Sequence, residues 1–191
     1  MKKKLLAAAA VLAVVLAVFL INNRLTYTVA PDCANLAEEA AKYWSRGSSA
    51  PWSAEDIQLF DSVTVGRQRF VLFETGDKLG DIHLLRSFTG RWKISQMGRG
   101  DGNFREKIVE EDGDYYLLFG GRNAYFGIHT AKFEISGTIH VVEIPQKDRF
   151  LVAQDLMMRT SEVHVWPDRI TFYDENGVDI TAQVPWNGPM E

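Results

Sequence analysis

DIQLFDSVTVGRQRFVLFETGDKLGDIHLLRSFTGRWKI, residues 56–94, decides the fold. Ile57-Gln58-Leu59 and Val63-Thr64-Val65 alternate apolar and polar residues, the pattern of strands with one buried face. Phe70-Val71-Leu72-Phe73 is apolar at every position, so it reads as a central strand covered on both faces. Ile82–Phe88 is the next strand, and Thr89-Gly90 turns the chain into Trp92-Lys93-Ile94. With turns at Gly66–Gln68 and Thr75–Gly80, the stretch predicts an antiparallel meander of four strands.

On its N-terminal side, NLAEEAAKYWS (residues 35–45) predicts a helix that packs on this meander. Leu36, Ala40, Tyr43 and Trp44 fall on one helical face, and Asn35 with Glu38 resembles a capping box. Residues 46–54 form a Gly-, Ser- and Pro-containing loop that carries Trp52. Residues 25–33 read as a linker.

Before the linker lies LLAAAAVLAVVLAVFLI, Leu5 to Ile21, without a charge and with no polar stripe. As a helix it would span about 25 Å at roughly 1.5 Å per residue, near the lower limit for crossing a bilayer. Lys2, Lys3 and Lys4 on the short side predict a cytoplasmic N-terminus, with the remainder carried across. A cleaved signal peptide is the rival, but Asn22-Asn23-Arg24 fits a cleavage site poorly. Cys33 is too distant from Ile21 for a lipoprotein signal. The expectation is a single-pass protein of the cell membrane, held through residues 5–21, with its C-terminal part extracytoplasmic.

On the C-terminal side, GRGDGNF (98–104) interrupts the pattern and marks a boundary. Beyond it the chain predicts strands at 107–110, 115–119, 133–135, 139–144, 150–153, 163–166, 170–173 and 178–181. Asp112-Gly113 and Asn176-Gly177 favour tight hairpin turns, whose central positions need positive φ. The overall expectation is an α+β, mostly β chain. Residues 1–24 are the anchor, 25–33 the linker and 34–98 a helix-plus-meander half. Residues 105–184 form a second, antiparallel β-sandwich-like half, and 185–191 a tail outside the sheet.

The chain has 191 residues and a formal net charge of −4. Residues 1–24 hold four positive charges and no acid, which leaves the remainder near −8. That sign argues against nucleic acid as a partner and against adsorption on anionic lipid beyond the anchor. One cysteine excludes an internal disulfide, and Cys33 reads as an inert thiol.

No stretch carries a catalytic or cofactor signature. His83, His129, His140 and His164 lack the spacing of a metal site, with His140 and Glu143 on opposite faces of a strand. No serine sits in a GxSxG elbow. Asp174–Asp179 reads as a turn, since it lacks the length and closing glutamate of a calcium loop. Gly120-Gly121-Arg122-Asn123 is the most distinctive short stretch: adjacent glycines permit a bulge or a close backbone approach, and Arg122 could present a bidentate donor to an anion. Arg122, Asn123 and the loop aromatic Trp52 are therefore the candidate ligand or partner contacts, each weighed against an ordinary loop or packing role.

The KKK-plus-apolar start, GGRN at 120–123 and FYDENGVDI at 172–180 together resemble the small uncharacterised membrane-anchored extracytoplasmic proteins of Gram-positive bacteria. The resemblance covers the anchor and roughly the last 80 residues, and implies no activity and no functional residue. The functional expectation is a non-enzymatic binding, sensing or accessory module of the bacterial cell envelope, whose partners are the membrane and another envelope protein. The alternative is an envelope hydrolase with a site assembled from scattered residues.

Overall fold

The computed structural model describes residues 2–46, 51–158 and 165–186. The described chain is mostly β, with two helices and three antiparallel sheets. Helices α1 (Lys2–Thr26) and α2 (Leu36–Trp44) come first. Strands β1 (Gln58–Val65), β2 (Gln68–Thr75), β3 (Lys78–Arg86) and β4 (Trp92–Gly100) form sheet I in sequential order. They are followed by β5 (Phe104–Glu111), β6 (Asp114–Arg122), β7 (Thr130–Ile135), β8 (Thr138–Glu143), β9 (Arg149–Asp155) and β10 (Val165–Tyr173). Sheet II runs β5-β6-β9 and sheet III runs β10-β7-β8.

The layers stack as α2, sheet I, sheet II, sheet III, and alternation along the strands explains why. In β2, Val71 and Phe73 join α2 residues Leu36, Ala40 and Ala41 in one buried cluster. Phe70 and Leu72 point the other way and meet Val109, Leu118 and Leu151 of sheet II. The unbroken apolar run at 70–73 is thus an antiparallel strand buried on both faces, as its sequence predicted. Strand β6 repeats the device: Leu118 faces sheet I, while Leu117 and Phe119 enter a larger core with Phe133, Phe150 and Phe172. Packing between sheets I and II also joins the two halves on either side of residues 98–104.

Several local expectations are corrected. The two alternating stretches at 57–65 form a single strand, β1, whose register is irregular between Leu59 and Ser62. Asn35 makes no cap bond to α2; its side chain accepts from Ala30 N at 2.7 Å and donates to Thr28 O at 3.1 Å, closing the preceding loop instead. Between 98 and 104 the strands nearly meet, because β4 continues to Gly100 and only Asp101–Asn103 connect it to β5. The strands expected at 163–166 and 170–173 merge into β10, with irregular register around Pro167, which has no amide proton to donate. Residues 159–164, including His164, lie outside the described residues.

At 178–181 a single Tyr173–Asp179 bridge replaces the expected strand. The Asp174 carboxylate accepts from the backbone N–H of Asn176 and Val178, and Phe172 N donates to the Thr181 hydroxyl, so side chains supplement the two backbone bonds, Asp174 N to Val178 O and Ile180 N to Phe172 O. At Asp112-Gly113 the expected hairpin turn is present, with φ of 54° and 89°. In the tail, Trp186 packs on Phe104 at 5.4 Å between ring centroids, and its carbonyl accepts from Asn103 N.

Ala9–Thr26 of α1 is long and apolar enough to cross a membrane, with a mean hydropathy of 1.9. Its middle stands clear of the sheets: Leu12 is 70% exposed and Leu16 54%. Only the end of the helix is seated. Asn23 is buried and donates to Thr89 Oγ1 at 2.9 Å. The stretch read as a linker is fastened too. Val29 and Trp92 exchange both backbone hydrogen bonds at 3.0 Å, and the Arg91 guanidinium donates to the Tyr27 and Thr28 carbonyls.

Candidate functional site

Gly120 and Gly121 supply the close approach their sequence suggested. A Cβ on Gly121 would overlap the Phe104 ring and lie 2.8 Å from Asn103 O; one on Gly120 would lie 3.0 Å from Phe150 O. That approach carries Arg122 inward. Arg122 Nε donates to Glu74 Oε1 at 2.7 Å, one terminal nitrogen donates to Asp77 O at 2.6 Å, and the other to Asn103 Oδ1 at 3.3 Å. Arg149 donates to both Glu74 oxygens, at 2.7 and 3.2 Å. Burial alone would raise the Glu74 carboxyl, but the hydrogen bonds from Arg149 and Arg122 outweigh it and hold the group below its ordinary range. The Arg122 donors thus serve a buried ion cluster within the protein.

Asn123 is likewise turned inward. Its side chain donates to Ile128 O at 2.9 Å and accepts from Ile128 N at 2.8 Å, which closes the loop between β6 and β7. Trp52 stacks on Trp44 at 5.0 Å, and the exposed Arg99 guanidinium lies 4.5 Å from its ring centroid. Of the three sequence candidates, Trp52 alone stands beside an exposed cation at the surface. The structure does not bring it together with Arg122 or Asn123.

A different group of residues gathers where the apolar packing between sheets I and II gives way to a cleft of about 140 Å³. Phe70, Leu118 and Leu151 line its apolar side, and Asp81, Gln96, Arg105, Glu106 and Lys107 its polar side. The backbone sets this up. On β3, Leu79, Asp81 and His83 occupy successive positions of one face, and Leu79 belongs to the inter-sheet core. On β5, Arg105 and Lys107 share a face with the core residue Val109. The two strands therefore aim first an apolar and then a charged residue into the same seam. An irregular register between His83 and Leu84 leaves Ser95 as an extra residue in β4, beside Gln96.

Beside the cleft, His83 stacks on the lining residue Phe70 at 4.5 Å, and its Nε2 is buried without a hydrogen-bond partner among the described residues. Burial, with help from Lys107, pushes the His83 pKa down to about 4. Burial also lifts the Asp81 carboxyl above its ordinary range, against the pull of Lys107 and Arg105. Glu106 is raised for the same first reason. Lys107 Nζ donates to Gln96 Oε1 at 2.9 Å, and Arg105 donates twice to Leu79 O. Asp81 and the two cations approach one another without closing an ion pair within 4.0 Å, unlike the Glu74 cluster.

Sequence reasoning passed over these residues because they come from three strands and form no motif. One signal was readable: Asp81 and His83 fall on a core-facing parity of a strand whose alternate residues, Ile82 and Leu84, are fully buried. Among the described residues, no group of three or more His, Cys, Asp or Glu side chains is placed to hold a metal ion. Comparison with family models, curated proteins and solved structures finds no match, so the site is argued from its own geometry.

Proposed function

We propose that the chain is a single-pass, membrane-anchored extracytoplasmic binding module of the bacterial cell envelope, and that the cleft between β3–β4 and β5 is its contact site. The observation that carries this reading is the concentration of unpaired ionisable groups at an open seam. Buried charge is costly unless it is paired, so a fold that closes one such cluster and leaves another open has a use for the second. The volume sets the scale. Sites for whole small molecules occupy roughly 300–1,000 Å³, so a cleft of about 140 Å³ suits a side chain or terminal group presented by a partner.

The anchor reading rests on α1, on the lysines in its first turn, and on Asn23 and Val29, which tie the helix end into the fold. Two measurements test the proposal. Carbonate extraction of membranes from cells making the full chain should leave it in the pellet at full length, and protease added to spheroplasts should digest it. A shortened soluble product, or protection from the protease, would refute the placement. Affinity capture of the full chain from detergent-solubilised membranes, beside an α1-only control, should yield a partner that the control lacks. Capture of the same set by both would refute contact through the folded part.

A further inference from the structure

The β3–β4 hairpin ends in Ser87-Phe88-Thr89-Gly90, a turn that carries an aromatic ring 59% exposed. The turn does not project freely. Thr89 accepts the hydrogen bond from Asn23, and the Phe88 ring stacks on Phe19 of α1 at 5.1 Å, with 20° between the planes. Phe19 belongs to the charge-free run that ends at Ile21, and Asn22 is the first polar residue after it. At about 1.5 Å per residue, the Phe19–Phe88 level lies about 4–5 Å, nearly one helical turn, inside the apolar boundary of α1. A bilayer that accommodates this run must therefore also meet Phe88. Aromatic rings at such a level are favoured in the interfacial belt, where an apolar body and a polar backbone are both satisfied.

We infer that the β3–β4 hairpin is a second membrane contact, with Phe88 inserted in the bilayer interface beside α1, so that the folded part sits at a fixed attitude on the membrane surface. The inference rests on the anchor reading of α1. The occupant is the interfacial region of the bilayer itself, irrespective of lipid charge. Arg67, Arg86 and Arg91 stand near the hairpin, but Arg67 N bonds Glu111 at the acidic β5–β6 turn, which also carries Glu110 and Asp112. With both signs present, attachment falls to the apolar tip. The net negative charge of the folded part, which from sequence argued against adsorption on anionic lipid beyond the anchor, does not oppose this mode.

The test uses the full chain in neutral phosphatidylcholine vesicles. Single cysteines replace Leu16, Phe88 or Asn176 in a Cys33→Ser background and carry a nitroxide, whose exposure to oxygen and to a water-soluble nickel chelate is compared. Position 16 reports α1 itself, and the exposed turn at 176 reports water. The inference expects position 88 to follow position 16, with loss of nickel access and gain of oxygen access. Position 88 behaving like 176 while 16 stays in lipid would overturn the hairpin contact and leave the anchor standing. Water access at 16 and 88 together would overturn both. A Phe88→Trp chain, read against the wild-type tryptophan background, should gain quenching by brominated lipid; no added quenching contradicts the insertion.

Discussion

Two clusters of ionisable groups occupy the same interface between sheets I and II, and they are built in opposite ways. Glu74, Arg122 and Arg149 are matched atom for atom, with the remaining Arg122 contacts made to Asp77 O and Asn103. Asp81, Arg105, Lys107 and His83 are gathered without that closure, and His83 and Asp81 have pKa values displaced by burial. The first arrangement compensates desolvation inside the protein, whereas the second does not, and on the proposed reading a partner group completes it. Perturbed, unpaired groups in a seam are the pattern of a contact site, and closed ion pairs the pattern of a fastening.

The sharpest way to break the contrast is to remove the carboxylate from the closed cluster. Glu74→Ala leaves Arg122 buried without its partner and should cost about 3–5 kcal/mol, measured by urea unfolding of the full chain in detergent micelles. The wild-type contribution also carries a pH signature. Because the folded pKa of Glu74 is depressed, its stabilisation is complete above the ordinary carboxylate pKa and is lost as pH falls through the folded value. A loss below about 1 kcal/mol, within the range of an exposed pair, would mean that the cluster is not a fastening.

Gly121→Ala probes what brings Arg122 inward. A methyl group here would press on the Phe104 ring and the Asn103 backbone, and should cost about 1–3 kcal/mol by overpacking. A neutral effect would show that β6 can shift without losing the cluster.

In the open cluster, His83 predicts the reverse of a fastening. Its folded pKa of about 4 lies below the ordinary value of 6.5, so the unfolded chain takes up the proton first. Stability should be complete above pH 6.5 and fall between pH 6.5 and 4, by about 1–3 kcal/mol after allowance for partial solvent access. His83→Gln should flatten that interval. If the slope survives the substitution, another group causes it.

The smallest effect on stability is expected at Lys107. Its contacts are the exposed Gln96 and, at 6.0 Å, the Phe70 ring, so Lys107→Ala should stay within about 0.5 kcal/mol of wild type while weakening partner capture.

How far this could be read from sequence depended on the range of the interaction. The meander, α2 and the Asp112-Gly113 hairpin were legible because period and turn chemistry are local. The run Phe70–Phe73 announced a strand covered on both faces, although not that a sheet of the second half supplies one cover. Asn35 carried a plausible cap signal, but the Thr28 and Ala30 backbone groups competed for the same side chain. Arg122 stood out beside its glycines, yet its partner Glu74 lies 48 residues away, and nothing local announces that pairing. The cleft was hardest, because its members are ordinary charged residues made unusual only by strand parity and by a neighbouring sheet.

The most direct test of the account places a photo-crosslinking residue at Gln96, on the cleft, and in a separate chain at Asp77, the exposed turn beside the closed cluster. Both full-length chains are irradiated in native membranes. The account predicts a crosslinked partner at 96, lost when Lys107 is also replaced by alanine, and none at 77. A partner captured at 77 and not at 96 would contradict it and move the contact site to the other end of the same interface.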